Sequence, residues 1–293
     1  MNENNSFIPF TICCGDRLFR YEAPVVMGIL NVTPDSFYDG GHYMGEKQIV
    51  ERAIQMAEEG ADIIDIGAVS TRPGAQMLTP EEEAKRLAAA VSIVRRQLPN
   101  AVISVDTCFS HPARVAVDAG ADIINDISGG AFDPEMFKTV ADLRTPYILM
   151  HNPCGTVDDP AGIKHLSGDA SDDITAAAVM HLSQLNVRLR EMGVRDVIID
   201  PGFGFSKTLD QNYRLLNRIG EFRTFFPNNP LLVALSRKSM IYRLLDTTPD
   251  DAFTGTVALH TAALLQGTQM LRVHDVRATK QTIAVISKLT STL

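Results

Sequence analysis

The chain contains little cysteine, and its cysteines form no recognisable site. Among its 293 residues there are four cysteines, with no CxxC pair and no ligand-like spacing to histidine. Structural zinc sites and disulfide frameworks need such spacings, so we expect neither. The sequence predicts four reduced thiols, at Cys13, Cys14, Cys108 and Cys154.

Long apolar runs and an excess of positive charge are also absent. No stretch approaches the ~20 apolar residues of a membrane-spanning helix, and the opening MNENNSF lacks the basic and apolar segments of a secretory signal. The formal net charge of −8 argues against a broad nucleic-acid surface, although a local basic pocket remains compatible with it. We expect a cytoplasmic protein whose partners are small molecules, with no nucleic acid and no membrane.

The composition that is present suits one large α/β domain. With 45% hydrophobic and 21% charged residues, a chain of 293 residues can bury a large core. This length exceeds that of most single β-sandwiches and is ordinary for an α/β barrel. We therefore predict a single domain over residues 1–293.

Eight short apolar runs recur along the chain, introduced alternately by proline and by glycine. Glycine suits the left-handed residue just past a helix end, whereas proline ends a helical path and begins an extended one. The runs are Pro24-VVMGIL, Gly60-ADIIDIG, Pro99-NAVISVD, Gly120-ADIINDI, Pro146-YILM, Gly193-VRDVIID, Pro230-LLVALS and Gly267-TQMLRVH. Helical periodicity fills the segments between them, notably 46–59, 80–97 and 173–192.

This alternation predicts a (β/α)8 TIM barrel. A doubly wound sheet would place a Gly-rich phosphate turn after its first strand, where GxGxxG is absent. Residues 7–22 alternate around Cys14-Gly15-Asp16 and predict a hairpin that closes the barrel bottom. The barrel is predicted over residues 24–290, with a long, Gly- and Asp-rich loop at 151–172 that we expect to be mobile.

In this fold the functional groups stand at the C-terminal ends of strands and in the loops that follow. Almost every predicted strand ends in a polar residue. Exposed loops are usually polar, but they seldom place hydrogen-bonding side chains at the ends of so many core strands. The candidates are Asn31, Asp65, residues 70–74, Asp106, Asn125, Asp126, His151, Asp200, residues 236–239, Arg272 and His274.

The candidates divide by charge. Four of the five basic ones follow the last two strands, where barrels frequently bind phosphate. The five are Arg72, Arg237, Lys238, Arg272 and His274. On the strands between, Asp106, Asn125 and Asp200 suit a neutral aminopyrimidine-type ring, because a carboxylate accepts two adjacent N–H bonds at once. The sequence thus predicts a ligand with a heterocyclic head and an anionic tail.

Each candidate also has a structural interpretation. Capping of backbone donors is the better explanation for Asp65 and Asp126, and loop packing explains His151 as well as a site does. The PEEE segment beginning at Pro80 is interpreted as a helix start. For four further candidates, capping or an internal salt bridge is nearly as good an explanation as ligand contact when each residue is taken singly. Only their joint occurrence favours function. These are Asp106, Asn125, Asp200 and Lys238.

Seven short motifs resemble, in order, those of one known family. They are MGILNVTPDSF (27–37), STRPG (70–74), SVDT (104–107), NDISGG (125–130), DPGFGFSK (200–207), SRKS (236–239) and RVHDV (272–276). The set resembles the dihydropteroate synthases, pterin-binding enzymes of folate biosynthesis that sulfonamides inhibit. The resemblance implies a barrel transferase that condenses 6-hydroxymethyl-7,8-dihydropterin diphosphate with 4-aminobenzoate, giving dihydropteroate and diphosphate.

The resemblance further implies a role for each matching residue. The pterin would be held by Asp106, Asn125, Asp200 and Lys238. The diphosphate would be surrounded by Asn31, Arg72, Arg272 and His274, with Asn31 also a ligand of Mg2+, for which an amide oxygen is a suitable hard ligand. The aminobenzoate and sulfonamide site would be lined by Phe37, Thr71, Pro73, Phe205, Lys238 and Ser239.

The implied reaction is an SN1-like loss of diphosphate in a homodimeric enzyme. The residues that the resemblance places in catalysis are Asp106, Asp200, Lys238, Arg72, Arg272 and His274. Val69 departs from the family's usual glutamate, and HNPCG at 151–155 also differs from commoner versions. Two alternatives stay open: a pterin-binding methyltransferase barrel and a catalytically silent pterin-binding paralogue. The phosphate-directed motifs STRPG, SRKS and RVHDV favour the synthase over the methyltransferase, although fold alone does not decide.

Overall fold

The computed structural model describes residues 7–32, 42–68, 78–162 and 173–291, without the side chains of 42–44. The strands are β1 (Phe10–Cys14), β2 (Arg17–Tyr21), β3 (Val25–Asn31), β4 (Ile63–Gly67), β5 (Val102–Asp106), β6 (Ile123–Asp126), β7 (Tyr147–Met150), β8 (Val197–Asp200), β9 (Leu232–Val233) and β10 (Met270–Val273). The helices are α1 (His42–Glu58), α2 (Pro80–Gln97), α3 (Ser110–Asp118), α4 (Met136–Leu143), α5 (Ile174–Glu191), α6 (Leu209–Asn217), α7 (Glu221–Phe225), α8 (Ser239–Tyr242), α9 (Phe253–Leu265) and α10 (Val276–Thr290).

Strands β3 to β10 form one parallel sheet in the order β8-β7-β6-β5-β4-β3-β10-β9. Its two edges also meet, because Ile199 of β8 forms a parallel bridge with Leu231, just before β9. The Ile199 N–H donates to the Pro230 carbonyl at 2.9 Å at the same point. The predicted (β/α)8 barrel is confirmed, and each of the eight apolar runs contains one barrel strand.

The glycines that introduce four of these strands have the conformation expected of helix ends. The φ angles are 95° at Gly60, 111° at Gly120, 89° at Gly193 and 84° at Gly267, and each glycine lies one or two residues beyond a helix. A residue with a Cβ is strained at such angles, so glycine allows the chain to leave the helix and turn towards the next strand.

Alternation along each barrel strand separates two surfaces. Outward side chains such as Ile64, Ile66 and Val105 join the large core between strands and helices. Inward side chains at the N-terminal ends, such as Met27, Ile63 and Val102, form a separate apolar layer inside the barrel. Because successive side chains point to opposite faces, the inward positions nearer the C-terminal ends are fixed by the same register.

The N-terminal hairpin closes the apolar end of the barrel, as predicted. Strands β1 and β2 pair antiparallel from Phe10 with Tyr21 to Cys14 with Arg17. Ile12 and Cys14 are buried in the inner apolar layer, and Arg17 forms an ion pair with Asp122, just before β6. The hairpin is therefore attached by apolar packing and by charge to the bottom of the barrel.

Some predictions concern residues outside this description. The loop predicted at 151–172 is described only to residue 162, where Thr156 and Asp159 form a small bridge. The division into one domain over 1–293 stays a prediction. Across the described ranges, no helix is both long enough and apolar enough to cross a membrane.

Candidate active site

The polar residues predicted at the strand ends converge inside the C-terminal end of the barrel. Asp65, Asn125 and Arg272 each stand two residues after a side chain of the inner apolar layer: Ile63, Ile123 and Met270 respectively. Asp106 and Asp200 end their strands on the same inward face. The inside of the barrel thus changes from hydrocarbon to charged and amide groups within two residues along β4, β6 and β10.

Arg272 bridges two carboxylates across this end of the barrel. Its Nε donates to Asp65 Oδ2 and its Nη2 to Asp106 Oδ2, both at 2.6 Å. The Asp65 side chain is 0% exposed, and those of Arg272 and Asp106 are 16% and 17% exposed. Burial opposes the charge on Arg272, but these two carboxylates raise its pKa above the ordinary value.

The prediction that Asp65 caps backbone donors is wrong. Its hydrogen bonds in the described structure go to side chains, those of Arg272 and of Asn125, whose Nδ2 donates to Asp65 Oδ2 at 3.2 Å. The physical reason is the strand register, which turns Asp65 towards the barrel axis and away from neighbouring backbone. The same prediction is confirmed for the outward-facing Asp126, whose carboxylate accepts from the backbone N–H groups of Ser128 and Gly130.

Burial makes the remaining carboxylates easier to protonate. It raises the pKa of Asp106 to about 7, with Arg272 opposing the shift and Asp65 adding to it. Burial also raises the pKa of Asp200, against the opposing effect of Lys238. Asp200 Oδ1 accepts from the Gly202 N–H at 2.8 Å, which fixes the carboxylate at the start of the following loop.

Lys238 connects the strand ends to the aromatic wall of the site. Its Nζ donates to the Phe203 carbonyl at 2.5 Å and lies 4.3 Å from the centroid of the Phe205 ring, a cation–π distance. Burial lowers the pKa of Lys238 to about 8, although Asp200 opposes the shift. Ser239 follows directly as the first residue of α8. The predicted residues Lys238, Ser239 and Phe205 thus lie in one region.

Lys207 belongs to this region, although the sequence did not predict it as a site residue. Its buried Nζ donates to the carbonyls of His151 at 3.2 Å, Gly202 at 2.8 Å and Phe205 at 2.9 Å. Burial lowers the pKa of Lys207 to about 7. The sequence did contain one indication of this role, a lysine at the end of the Gly- and Phe-rich segment DPGFGFSK. A single ammonium group has three donors and can bind several carbonyls of a tight turn.

His151 is packed inside the structure, and the choice between packing and a site role stays open. The buried ring lies 5.4 Å from the ring of His181, edge to face. Burial lowers the pKa of His151 well below its ordinary value. The contact between His151 and Lys207 is made by the His151 backbone carbonyl and does not involve the ring.

Glu83 is a second buried ionisable residue that the sequence did not predict near the site. The PEEE segment does begin a helix, with Thr79 and Glu82 forming a capping box. Glu83, however, is 2% exposed and hydrogen bonds with Thr107, next to Asp106. Burial raises the pKa of Glu83 to about 7.

The basic residues after the last two strands divide into two groups. His274 Nδ1 lies 3.0 Å from Ser236 Oγ, which also accepts from the His274 backbone N–H at 3.2 Å. Arg237 instead donates to both carboxylate oxygens of Asp275, at 3.0 and 2.8 Å. Arg272 lies in β10 and His274 directly follows it, Lys238 directly precedes α8, and Arg237 is held by a bidentate ion pair.

Asn31 offers an oxygen at the rim of the same site. A Cβ added at Gly67 would lie 3.4 Å from Asn31 Oδ1 and 3.5 Å from the Asp106 Cβ, so glycine leaves these side chains room to approach one another. In the described ranges, no group of three or more histidine, cysteine or acidic residues can hold a metal. The Asn31 amide oxygen is a hard donor of the kind that Mg2+ accepts alongside water and phosphate oxygens.

Four predicted site residues lie outside the described residues: Phe37, Thr71, Arg72 and Pro73. Val69, the departure from the family pattern, does so too. Their roles stay predictions.

Fold and site together define a TIM-barrel protein with a buried polar pocket for a hydrogen-bonding ring and cationic groups beside it. The Pterin binding enzyme family matches residues 27–274 of the chain. The chain belongs to that family.

Relatives with known activity resemble nearly the whole chain. A dihydropteroate synthase of Synechocystis sp. is 38% identical over 99% of this chain and 98% of its own length. The structure of Xanthomonas albilineans dihydropteroate synthase with 4-aminobenzoic acid has a TM-score of 0.84 at 36% identity, covering 97% of this chain and 99% of that one. The Yersinia pestis dihydropteroate synthase with a sulfonamide drug has a TM-score of 0.85 at 34% identity, covering 97% and 100%.

Proposed function

We infer that the chain catalyses the dihydropteroate synthase reaction of folate biosynthesis. The observation that carries the inference is the cluster of Asp106, Asn125, Asp200 and Arg272, assembled from four strands at the C-terminal end of a pterin-binding barrel. The substrates are 6-hydroxymethyl-7,8-dihydropterin diphosphate and 4-aminobenzoate. The products are 7,8-dihydropteroate and diphosphate.

In this proposal the pterin ring binds deep in the barrel. Asp106, Asp200 and the Asn125 carbonyl oxygen accept hydrogen bonds from ring N–H groups, and Lys238 donates to a ring acceptor. The cost of keeping these groups out of water is visible in the raised pKa values of Asp106 and Asp200. A ring that satisfies them all is selected over one that leaves a buried polar group unpaired.

The chemistry is governed by the leaving group. The C–O bond to diphosphate breaks with its electron pair leaving on oxygen, the aromatic amine nitrogen then attacks the methylene carbon, and one amine proton is released. Arg272, His274 and Arg72 stabilise the departing charge, and the pterin-facing carboxylates support positive charge on the ring. When bound at Asn31, Mg2+ would supply further neutralisation of the diphosphate.

The aminobenzoate site is proposed at the rim, beside Phe205, Lys238 and Ser239. Phe37, Thr71 and Pro73 complete it. An anionic benzoate or sulfonamide fits this region because the Lys238 ammonium lies against the aromatic face of Phe205. Sulfonamides are therefore expected to compete with 4-aminobenzoate.

A homodimer and a cytoplasmic location are also proposed. Helix α9 reads FTGTVALHTAALL and carries no charged residue on any face. It leaves Phe253 and Leu265 exposed at its two ends, and Val285 of the neighbouring α10 is exposed too, as is common in a surface of subunit contact. Light scattering coupled to size exclusion tests the dimer, and cell fractionation tests the location.

A coupled assay for diphosphate release tests the proposed activity. Release that requires both the pterin diphosphate and 4-aminobenzoate supports the synthase. Pterin binding without release supports the silent paralogue, and methyl transfer to a corrinoid protein supports the methyltransferase. An Asp126→Asn variant is the matched control, since this buried carboxylate faces away from the barrel interior.

A further inference from the structure

Asp65 is a buried carboxylate of the pocket to which the proposed function assigns no ligand contact. One oxygen, Oδ2, accepts from Arg272 Nε at 2.6 Å and from Asn125 Nδ2 at 3.2 Å. The other oxygen, Oδ1, is buried and has no hydrogen-bond partner in the described structure. A buried carboxylate arranged in this way does more than neutralise one guanidinium.

The carboxylate determines which way the Asn125 amide faces. A carboxylate offers only acceptors, whereas an amide has a donor end and an acceptor end. If the Asn125 amide turned over, its carbonyl oxygen would lie against Asp65 Oδ2, and two acceptors would meet where Asp65 and Asn125 are 0% and 3% exposed. Such an arrangement leaves both groups unpaired away from water and is strongly disfavoured.

Arg272 stabilises the buried Asp65 carboxylate and its bond with Asn125. An isolated buried carboxylate is costly, and the guanidinium that compensates Asp65 is itself aligned by Asp106 at 2.6 Å. Arg272 thus compensates the Asp65 carboxylate at a depth where an amide alone would do so poorly. One N–H of Asn125 Nδ2 donates to Asp65, which fixes the orientation of the amide and leaves its Oδ1 to accept from a ligand.

We propose that Asp65 is a positioning residue of the pterin pocket, which acts by holding the Asn125 amide with its carbonyl oxygen towards the ring. The inference rests on the proposed function, because it takes the ligand to be a pterin. Asp65 needs no contact with the ring in this role. Removing its charge releases the Asn125 amide, which then has two nearly equivalent orientations.

A double-mutant cycle on the full chain tests the proposal. Calorimetry with 6-hydroxymethylpterin is performed on the wild type, Asp65→Asn, Asn125→Ala and the double variant. We expect Asp65→Asn to weaken binding about tenfold, the value of one buried hydrogen bond. In the Asn125→Ala background the same change is expected to have less than about a twofold effect, since the two residues act as one unit.

Steady-state kinetics separates positioning from a general loss of structure. Asp65→Asn is expected to raise KM for the pterin diphosphate and to leave KM for 4-aminobenzoate unchanged, whereas a loosened barrel alters both. Asp126→Asn serves as control, because its carboxylate is equally buried but contacts Tyr147 and backbone N–H groups. It is expected to leave both KM values near those of the wild type.

A second experiment, on protein that retains Asp65, tests the proposal even if Asp65→Asn fails to fold. The side-chain amide of Asn125, assigned by its absence in Asn125→Ala, is followed by 15N NMR in the ligand-free protein. Slow solvent exchange and a downfield shift of one amide proton support its bond to Asp65. Exchange as fast as that of an exposed asparagine overturns the proposal.

The possible failures are distinguishable. A wild type that does not bind 6-hydroxymethylpterin contradicts the proposed function itself. A wild type that binds, with Asp65→Asn equal to it or with an undiminished loss in the Asn125→Ala background, leaves the proposed function standing and overturns the role of Asp65.

Discussion

The two ends of the barrel interior are built from the same strands and differ in almost every physical property. At the N-terminal end, Met27, Ile63 and Val102 meet Ile12 and Cys14 of the hairpin in a closed apolar layer. At the C-terminal end, Asp65 and Asp106 share Arg272, with the buried Lys207 and the half-buried Lys238 nearby. The N-terminal end is closed by apolar packing, and the C-terminal end is stabilised by ion pairs.

The difference shows which end is arranged for stability and which for chemistry. Apolar burial contributes roughly 25 cal/mol per Å2 without any requirement for pairing. Buried charges, in contrast, need partners, and their burial is reflected in pKa values of about 7 for Asp106 and about 8 for Lys238. Substitutions at the two ends should therefore separate stability from activity.

The largest effect is expected for Arg272→Met, at the charged end. The change leaves Asp65 and Asp106 buried without their shared cation, which should destabilise the fold by about 3–5 kcal/mol. It should also lower turnover by roughly 10²–10³, because a donor to the leaving group is lost. Denaturant unfolding and diphosphate release measure the two effects. A stable variant with normal turnover would show that the ion pairs contribute to neither.

The counterpart at the apolar end is Ile12→Ala in the hairpin. Ile12 is 1% exposed against the inner layer, so its truncation should cost about 2–4 kcal/mol of stability through lost burial and a cavity. Turnover at a temperature where the variant is folded should stay within about twofold, because the catalytic end is separate. Unfolding curves and kinetics are compared with those of Arg20→Ala, whose ion pair with Glu22 is exposed and expected to contribute ~0–1 kcal/mol. A large fall in turnover in the folded variant would show that the apolar end contributes to catalysis and that the two ends are not independent.

A smaller effect, confined to ligand binding, is expected for Asp200→Asn. The amide oxygen can still accept from the Gly202 N–H, but it cannot accept the paired ring N–H bonds that a carboxylate takes. Pterin affinity should fall by ~1.5–3 kcal/mol, or about 10- to 100-fold. Calorimetry with a pterin fragment measures the loss, and an unchanged affinity would remove Asp200 from the pocket.

The smallest effect expected is a pH dependence at Lys238. Its folded-state pKa of about 8 lies below the ordinary 10.5, so the ammonium loses its proton and charge as pH rises through about 8. The kcat/KM for 4-aminobenzoate should fall over that range, and Lys238→Arg should move the decline to higher pH. The stability contribution has the opposite sign: between about pH 8 and 10.5 the unfolded chain binds more protons, so the unfolding free energy from this group rises with pH. An activity profile identical in Lys238→Arg would assign the decline to another group.

Much of the site was predictable because strand ends in a parallel barrel converge. Asp106, Asn125, Asp200, Lys238, Arg272 and His274 follow from counting strands and from the motifs. Lys207 and Glu83 did not follow, since nothing local distinguishes a lysine that gathers three carbonyls, or an acid in a helix start that becomes buried. The inward direction of Asp65, as opposed to the outward direction of Asp126, depends on a one-residue difference in register.

The sequence by itself determined the order of strands and helices, because alternating proline and glycine punctuation and periodic apolar spacing are local properties of the chain. Only the tertiary structure decided which charges share a partner. Arg272 and Asp65 are 207 residues apart in sequence, and their contact exists because β10 lies beside β3, and β3 beside β4, when the ring closes. The energies that shape the site, ion pairing and the loss of water around charges, depend on distances and burial across the barrel, which no local pattern encodes.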